Sequence, residues 1–365
     1  MRILIMNWKD LAHPAAGGAE VYVQRVAEAW VARGYSVTLF CAIADGRSAE
    51  EVSEGVRIVR RGGRFSVYRE ARRFWRETGP SHFDLVIDAV NTRPFMTPRF
   101  VSGVPCVALI HQLCREIWWY EMPVPVALVG RFWLERWWLA AYRHTPVLTV
   151  SESSRQSLCD YGLDHVTVVP EGVEPLTRPP ISRERRPTIL FVGRLARNKR
   201  PDHAIAAFKR VLATVPDAQL WVVGDGPMRV QLERKAPAGV RFFGQVDETR
   251  KRSLMARAHV LVVTSVREGW GLVVDEAAAM GTTSVGYDVP GIRDSVKAAD
   301  GELVAPNPTA MAAALTGVLG RTPALQGWRG GAVSWPEVAE AVLLAAAESN
   351  PDAMADPALR SGAPA

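Results

Sequence analysis

Residues 188–208 read TILFVGRLARNKRPDHAIAAF. TILFV is a short apolar run closed by Gly193, the mark of a strand buried on both faces. A basic loop follows, and from Asp202 the spacing turns helical through DHAIAAFKRVLATV (202–215). Just upstream, RPPISRERRP (178–187) combines proline with a run of charge, the composition of a linker. A strand–helix alternation therefore restarts at residue 188. Downstream it continues through QLWVVG (219–224), VRFFG (240–244), VLVVTS (260–265) and SVGYD (284–288), with ETRKRSLMARA as an intervening helix. Upstream the same grammar runs through RILIM (2–6), VTLFCA (37–42), DLVIDA (84–89), CVALIH (106–111) and VLTV (147–150). Between the first two lies a helix striped by Val23, Val26, Ala27 and Trp30, and Gly34 is placed to end it. Strand, helix, strand implies parallel sheets with right-handed crossovers. The expected architecture is α/β: two Rossmann-like doubly wound domains facing across a cleft, with ligands at the carboxyl ends of the strands. The expected boundaries are 1–177, a linker at 178–187, and 188–330. A C-terminal helix (331–349, with WPEVAEAVLLAAAE at its centre) is expected to pack back toward the first domain. A small, proline-rich tail (350–365) is expected to be disordered.

Composition agrees with two globular domains. The chain has 365 residues, 48% of them hydrophobic, which is too long for one core. No apolar run reaches the roughly 18–20 residues of a membrane span. The N-terminal MRILIMNWKD lacks the apolar core of a signal peptide, so the expected location is cytoplasmic. Cys41, Cys106, Cys114 and Cys159 show no metal-type spacing and read as reduced structural thiols. The net charge is +6, with basic clusters at 57–76 and 183–200. Such charge suits nucleic acid, an anionic membrane or a phosphorylated small molecule, or simply a solvated face. Helix-turn-helix, zinc-finger and RNA-binding signatures are missing, so nucleic acid ranks last.

The chemistry concentrates at strand ends. After TILFVG come Arg194, Lys199 and Arg200, cations suited to a diphosphate. A charge pair about 4 Å apart is worth about 4 kcal/mol at an effective dielectric of about 20. VVGDGP (222–227) places Gly224 and Gly226 in a turn that admits close backbone approach, and Gly244 to Val246 follow VRFF similarly; both read equally well as ordinary turns. The stretch REGWGLVVDEAAAMG (267–281) holds Glu268 and Glu276 eight positions apart. Glycines 269 and 271 bare backbone N–H groups, and a helix starting near Leu272 adds a positive dipole end. Glu276 sits among Leu, Val, Ala and Met and needs a partner, since an unpaired buried charge is costly. The vicinal diol of a ribose would supply one. In the first domain HPAAGGAEVYVQ puts Gly17 and Gly18 between strand and helix without the GxGxxG fingerprint, which argues against a nicotinamide enzyme. His111 ends the strand CVALIH, where an exposed polar group would face the cleft; a structural role suits it as well as a functional one.

Taken in order, GGAE, His111, VSES (150–153), VPEGVE (169–174), VGRLARNKR (192–200), VGDGP and EGWGLVVDEAAAMG resemble the retaining glycosyltransferases of family 4, over nearly the whole chain. The two glutamates with their flanking glycines are the specific element. The resemblance implies the GT-B fold and sugar transfer from a nucleotide-diphosphate donor (UDP-, GDP- or dTDP-linked) to an acceptor hydroxyl, with retained configuration. It implies no metal and no cofactor. It implies that Arg194 and Lys199 hold the diphosphate, that Glu276 binds the ribose, and that Glu268 contacts the transferred sugar. Gly269, Trp270, Gly271, Leu272 and Val273 would lie beside sugar and phosphate. Gly224, Gly244 and Val246 belong to the donor set, the last two near the base. Gly17 and Gly18 would close over the donor phosphate or orient the acceptor, and His111 would hydrogen-bond the sugar. The chain departs from the family pattern at Trp270 (commonly Phe), Thr282-Thr283 (Thr-Pro), Pro290-Gly291 (Gly-Gly) and Glu171 (Asn). None of these removes a proposed catalytic group.

The segment EIWWYEMPVPVALVGRFWLERWW (116–138) crowds together Trp118, Trp119, Tyr120, Phe132, Trp133, Trp137 and Trp138. The resemblance places it, with Trp118, Trp119 and Tyr120, on the acceptor side of the first domain. Packed interior, a glycan, lipid-linked or small-molecule acceptor, and peripheral contact at the inner membrane face all suit such rings. Two rival functions share the features: a GT-B epimerase or phosphorylase, and a non-enzymatic basic protein that binds membrane or glycan. A pyridoxal-dependent phosphorylase needs a Schiff-base lysine, and none of the six lysines sits in a convincing cofactor site.

Overall fold

The computed structural model describes residues 1–14, 16–173, 179, 181–321 and 333–348. The expected tail at 350–365 and linker residues 178 and 180 lie outside these. The chain divides into two compact units. The first comprises Met1–Cys114, Leu128–Gly172 and the chain from Val333; the second comprises Arg115–Ala127 and Val173–Ala332.

The strands of the first unit are β1 (Arg2–Met6), β2 (Ser36–Cys41), β3 (Glu50–Ser53), β4 (Val56–Arg60), β5 (Leu85–Val90), β6 (Cys106–Ile110), β7 (Val147–Thr149) and β8 (Val166–Val168). They form one sheet in the order β3-β4-β2-β1-β5-β6-β7-β8. Every neighbouring pair is parallel except β3 and β4. That pair is a hairpin through Glu54 and Gly55, both at positive φ, as a tight hairpin turn requires. The hairpin escaped the sequence reading because EEVS is too polar to read as a buried strand. The central β1 and β5 are apolar apart from Arg2 and Asp88 and buried apart from Arg2, the pattern of parallel strands covered on both faces.

The C-terminal helix Trp335–Glu348 groups with this unit. It lies along the helix Gly18–Ala32, where Trp30 Nε1 donates to the Ala339 carbonyl at 2.9 Å. Trp335 packs on Tyr22 and over Gly172, where an added Cβ would fall 2.6 Å from the indole. Only glycine fits beneath that ring.

The second unit carries β9 (Thr188–Val192), β10 (Gln219–Val223), β11 (Val240–Gly244), β12 (Val260–Val263), β13 (Thr283–Tyr287) and β14 (Glu302–Val304). Their order is β11-β10-β9-β12-β13-β14, all parallel. Successive side chains point to opposite faces. Ile189, Phe191, Val222, Val260 and Val262 join Phe208 and Leu315 of the helices Pro201–Val211 and Pro308–Leu319. Leu190, Trp221, Leu261 and Val263 join Met255, Val274 and Ile292 of the helices Glu248–Arg257, Leu272–Ala279 and Ile292–Ala298. Each such aliphatic side chain contributes about 1.5–3 kcal/mol when fully buried. The helix Glu248–Arg257 is capped by Asp247, whose Oδ1 accepts from Arg250 N at 2.7 Å. Asp247→Ala is expected to cost about 1 kcal/mol of stability, read as a drop in the urea midpoint at unchanged slope.

Residues 115–127 group with this second unit, not with the first domain where the sequence reading places them. Polar contacts and one buried ring explain the difference. Glu116 pairs with the buried Arg267 at 2.7 Å, Tyr120 OH accepts from Arg200, and Trp118 is buried. Among the described residues no helix is long and apolar enough to cross a membrane.

Candidate functional site

In the second unit the strand order reverses between β9 and β12. Ligands of open parallel sheets bind outside the strand ends at such a switch point. The loops leaving these two strands are sewn together there. Val266 N donates to the Asn198 carbonyl at 2.8 Å, and Thr264 Oγ1 donates to the carbonyls of Lys199 and Arg200 at 2.9 and 2.8 Å. This stitching brings Lys199 onto Glu268: Lys199 Nζ forms an ion pair with Glu268 Oε1, which also accepts from Ser265 Oγ at 2.6 Å. Glu268 is 15% exposed and Lys199 29%. Arg200, at φ 49°, turns away to donate to Tyr120. Arg194 is exposed and has no ion-pair partner among the described residues. Among these residues Arg194 is open to an anion, Lys199 is held by a carboxylate and Arg200 is tied to a phenol.

Glycines shape the rest of this surface by letting loops touch. At Gly224 a Cβ would fall 2.0 Å from the Gly193 carbonyl oxygen, and at Gly226 2.6 Å from that of Leu195. The close approach is between the loops after β9 and β10, reinforced by Leu195 N donating to the Asp225 carbonyl at 2.9 Å. Gly244 ends β11 and accepts from Gly224 N at 2.8 Å, while Val246 packs onto the core beside Phe243. Gly291, at φ 83°, lies against the Glu268 carbonyl, where a Cβ would sit at 2.1 Å. The Pro290-Gly291 departure therefore keeps the glycine that the loop needs.

Glycine 271 is the left-handed N-cap (φ 104°) of the helix Leu272–Ala279, so the first backbone N–H groups after Gly269 and Trp270 open at a helix start. Trp270 is pinned, its indole N–H donating to Asp275. Val273 is partly buried against the core. Glu276 finds a protein partner that the sequence reading did not name: Lys251 Nζ lies 3.0 Å from its Oε1 and 2.9 Å from Glu248 Oε2. Burial pushes the Glu276 carboxyl above its ordinary value, against the pull of Lys251. Burial lowers Lys251, but Glu276 and Glu248 more than offset it, and the ammonium is raised overall.

Gly17, Gly18 and His111 belong to the first unit. Gly17 and Gly18 are the N-cap and first residue of the helix Gly18–Ala32 rather than a free loop. Gly17 N donates to Glu20 Oε2 at 2.7 Å. Glu20 is buried, and its other oxygen accepts from Asn91 Nδ2 at 2.6 Å. Asn91 also donates to Asn7 at 2.9 Å, and Lys9 Nζ lies 3.3 Å from Glu20. This polar knot sits where the order of the first sheet reverses, at the ends of β1 and β5. Only Glu20, just past the glycine pair, signalled it in the sequence.

His111 follows β6 and is 5% exposed, buried rather than presented to solvent as the sequence reading expected. The Tyr22 ring meets it edge-on at 4.9 Å, and Glu171 Oε1 lies 3.8 Å from its Nδ1. Both imidazole nitrogens, Tyr22 OH and Glu171 Oε2 are buried without hydrogen-bond partners. Of the three acceptor-side residues, Trp118 is buried, Trp119 is 40% exposed and Tyr120 carries Arg200 on its ring and hydroxyl. Among the described residues no cluster of three or more His, Cys, Asp and Glu could hold a metal ion.

Known proteins align with both units. The model described as Glycosyltransferase Family 4 matches residues 16–175, and that described as Glycosyl transferases group 1 matches residues 186–321. The chain is 27% identical to a glycogen synthase of Mycobacterium tuberculosis over 373 aligned positions, covering 89% of this chain and 88% of that one. Its fold is similar to that of sucrose-phosphate synthase from Thermosynechococcus elongatus (TM-score 0.73, 20% identity, 95% and 96% of the two chains covered). It is also similar to an Anabaena protein solved in complex with UDP and glucose (TM-score 0.64, 18% identity, 96% and 95% covered).

Proposed function

The chain belongs to the glycosyltransferases of family 4, with the GT-B fold, and we propose that it is a retaining, metal-independent member that works in the cytoplasm. It is an enzyme that transfers a sugar from a nucleotide sugar; the epimerase and the purely binding protein are set aside. On this reading the donor is a UDP-, GDP- or dTDP-sugar and the acceptor a hydroxyl of a glycan, a lipid-linked sugar or a small molecule, met in peripheral contact with a membrane. The observation that carries the donor reading is the strand-end constellation of Arg194, Lys199 and Glu268 at the sheet's switch point. A diphosphate arriving there meets the free Arg194 and competes with Glu268 for Lys199. Once displaced, Glu268 can accept hydrogen bonds from sugar hydroxyls. The two cations stabilise charge growing on the leaving diphosphate. Glu276 takes the ribose diol.

The test uses the linkage between charge and stability. A carboxyl whose folded pKa is raised loses stability as pH rises through that value, because the folded state disfavours the ionised form. Glu276→Gln is therefore expected to leave the ligand-free melting temperature at pH 7 unchanged or raised. The same variant is expected to lose the thermal shift that the matching nucleoside diphosphate gives the wild type, about 2.7 kcal/mol at about a hundred times Kd. Retention of the full shift would remove Glu276 from the donor site. The raised pKa also makes wild-type nucleotide affinity fall on acidification earlier than an ordinary glutamate would dictate.

A further inference from the structure

The chain Val124–Ala140 is a continuous helical run, with α-helix at Val124–Val129 and Glu135–Ala140 and a π-helical turn at Gly130–Leu134 between them. Its inner face is ordinary: Gly130, Glu135 and Leu139 are buried, and Glu135 accepts from Cys114 N at 2.6 Å. Its outer face is inverted. Val129 is 53% exposed, Phe132 54%, Trp133 77% and Trp137 53%. Val129, Trp133 and Trp137 recur every four residues and so form one stripe. A water-facing helix normally carries charge there, and a contiguous apolar stripe marks an interaction surface.

The charges around the stripe choose the occupant. Within 128–143 the charged side chains are Arg131, Glu135, Arg136 and Arg143, and the one acid among them is buried. Arg99 adds a fourth cation, its guanidinium 4.6 Å over the Trp137 ring. The exposed charges among these residues are therefore basic, set around tryptophan, phenylalanine and valine. Aromatic and aliphatic side chains immersed at headgroup depth, with arginines reaching phosphates, are the features of a helix lying in an anionic lipid interface. A second copy of this chain fits poorly. A two-fold contact would set this arginine-bearing face against the same face of the copy, bringing positive charge against positive charge.

We propose that the outer face of residues 128–140 seats the first unit on an anionic bilayer surface. This deepens the membrane part of the proposed function and is independent of the donor site. The test is co-sedimentation of the full chain with phosphatidylcholine vesicles, with and without phosphatidylglycerol. The wild type is expected to bind the anionic vesicles at least about tenfold more tightly than the neutral ones, less so at high salt. Trp133→Ser with Trp137→Ser is expected to weaken binding about tenfold or more. Arg136→Gln is expected to weaken it about fivefold. Circular dichroism and the nucleotide-induced thermal shift should be unchanged in these variants, and Glu276→Gln should still bind vesicles. Failure of the wild type to sediment with anionic vesicles would overturn the proposal. So would equal binding by the double tryptophan variant, or a wild-type dimer in solution that the double variant abolishes.

Discussion

Lys199→Ala is expected to lower turnover by about two to three orders of magnitude, and Arg194→Ala by less. The ligand-free structure gives the reason for the inequality. Arg194 has no ion-pair partner among the described residues, so its loss removes one cation and leaves no carboxylate unpaired there. Lys199 is paired with Glu268, and its loss leaves a carboxylate, 15% exposed, at the proposed diphosphate site. Like charges about 4 Å apart oppose each other by about 4 kcal/mol at an effective dielectric of about 20, so the variant suffers in donor binding as well as in turnover. Glu268→Gln sharpens the point because its two effects run in opposite directions. Removing the carboxylate frees Lys199, and nucleoside diphosphate is expected to bind more tightly than to the wild type. Turnover is nevertheless expected to fall, because a charged acceptor for the sugar hydroxyls is gone. Isothermal titration of the nucleoside diphosphate beside steady-state kinetics separates the two. If Glu268→Gln binds the diphosphate more weakly, the ion pair serves only to hold the β9 and β12 loops together.

What the sequence carried, and what it hid, follows from distance along the chain. Five strands of the second sheet were readable as short apolar runs, four of them ending in glycine or in Thr-Ser, while the three-residue edge strand β14 was too short to read. The need of Glu276 for a partner was readable from its apolar neighbours. The identity of that partner was not, because Lys251 lies 25 positions away on another helix and only packing brings the two within 3.0 Å. Residues 115–127 read as part of the first domain because they follow β6 directly. Single contacts, Glu116 with Arg267 and Tyr120 with Arg200, group them with the second unit, and no periodicity announces such contacts. Gly224 read either as a turn or as a point of close approach to a ligand, and Gly291 only as a departure from the family pattern. They are first of all places where two loops touch, which a lone turn motif does not reveal.

His111→Ala is expected to lower kcat about a hundredfold while leaving nucleoside-diphosphate affinity within about twofold of the wild type. The split follows from placement: the residues proposed to hold the diphosphate lie on strand ends of the second unit, and His111 belongs to the first. The case for a role rests on energetics. A fold normally satisfies its buried polar atoms, and leaving one unsatisfied costs about 1–3 kcal/mol. Around His111 there are four such atoms: both ring nitrogens, Tyr22 OH and Glu171 Oε2. A purely structural histidine would have been given partners or replaced by an apolar residue. This cluster keeps its hydrogen-bonding capacity unspent, as a site that awaits sugar hydroxyls would. Glu171, 3.8 Å from Nδ1, acts through the imidazole. Glu171→Gln keeps the volume and is expected to lower kcat about tenfold, with unchanged nucleotide affinity and unchanged melting temperature. Full turnover in His111→Ala would mean that the four orphaned atoms are a packing cost tolerated by the fold and not a feature of the reaction.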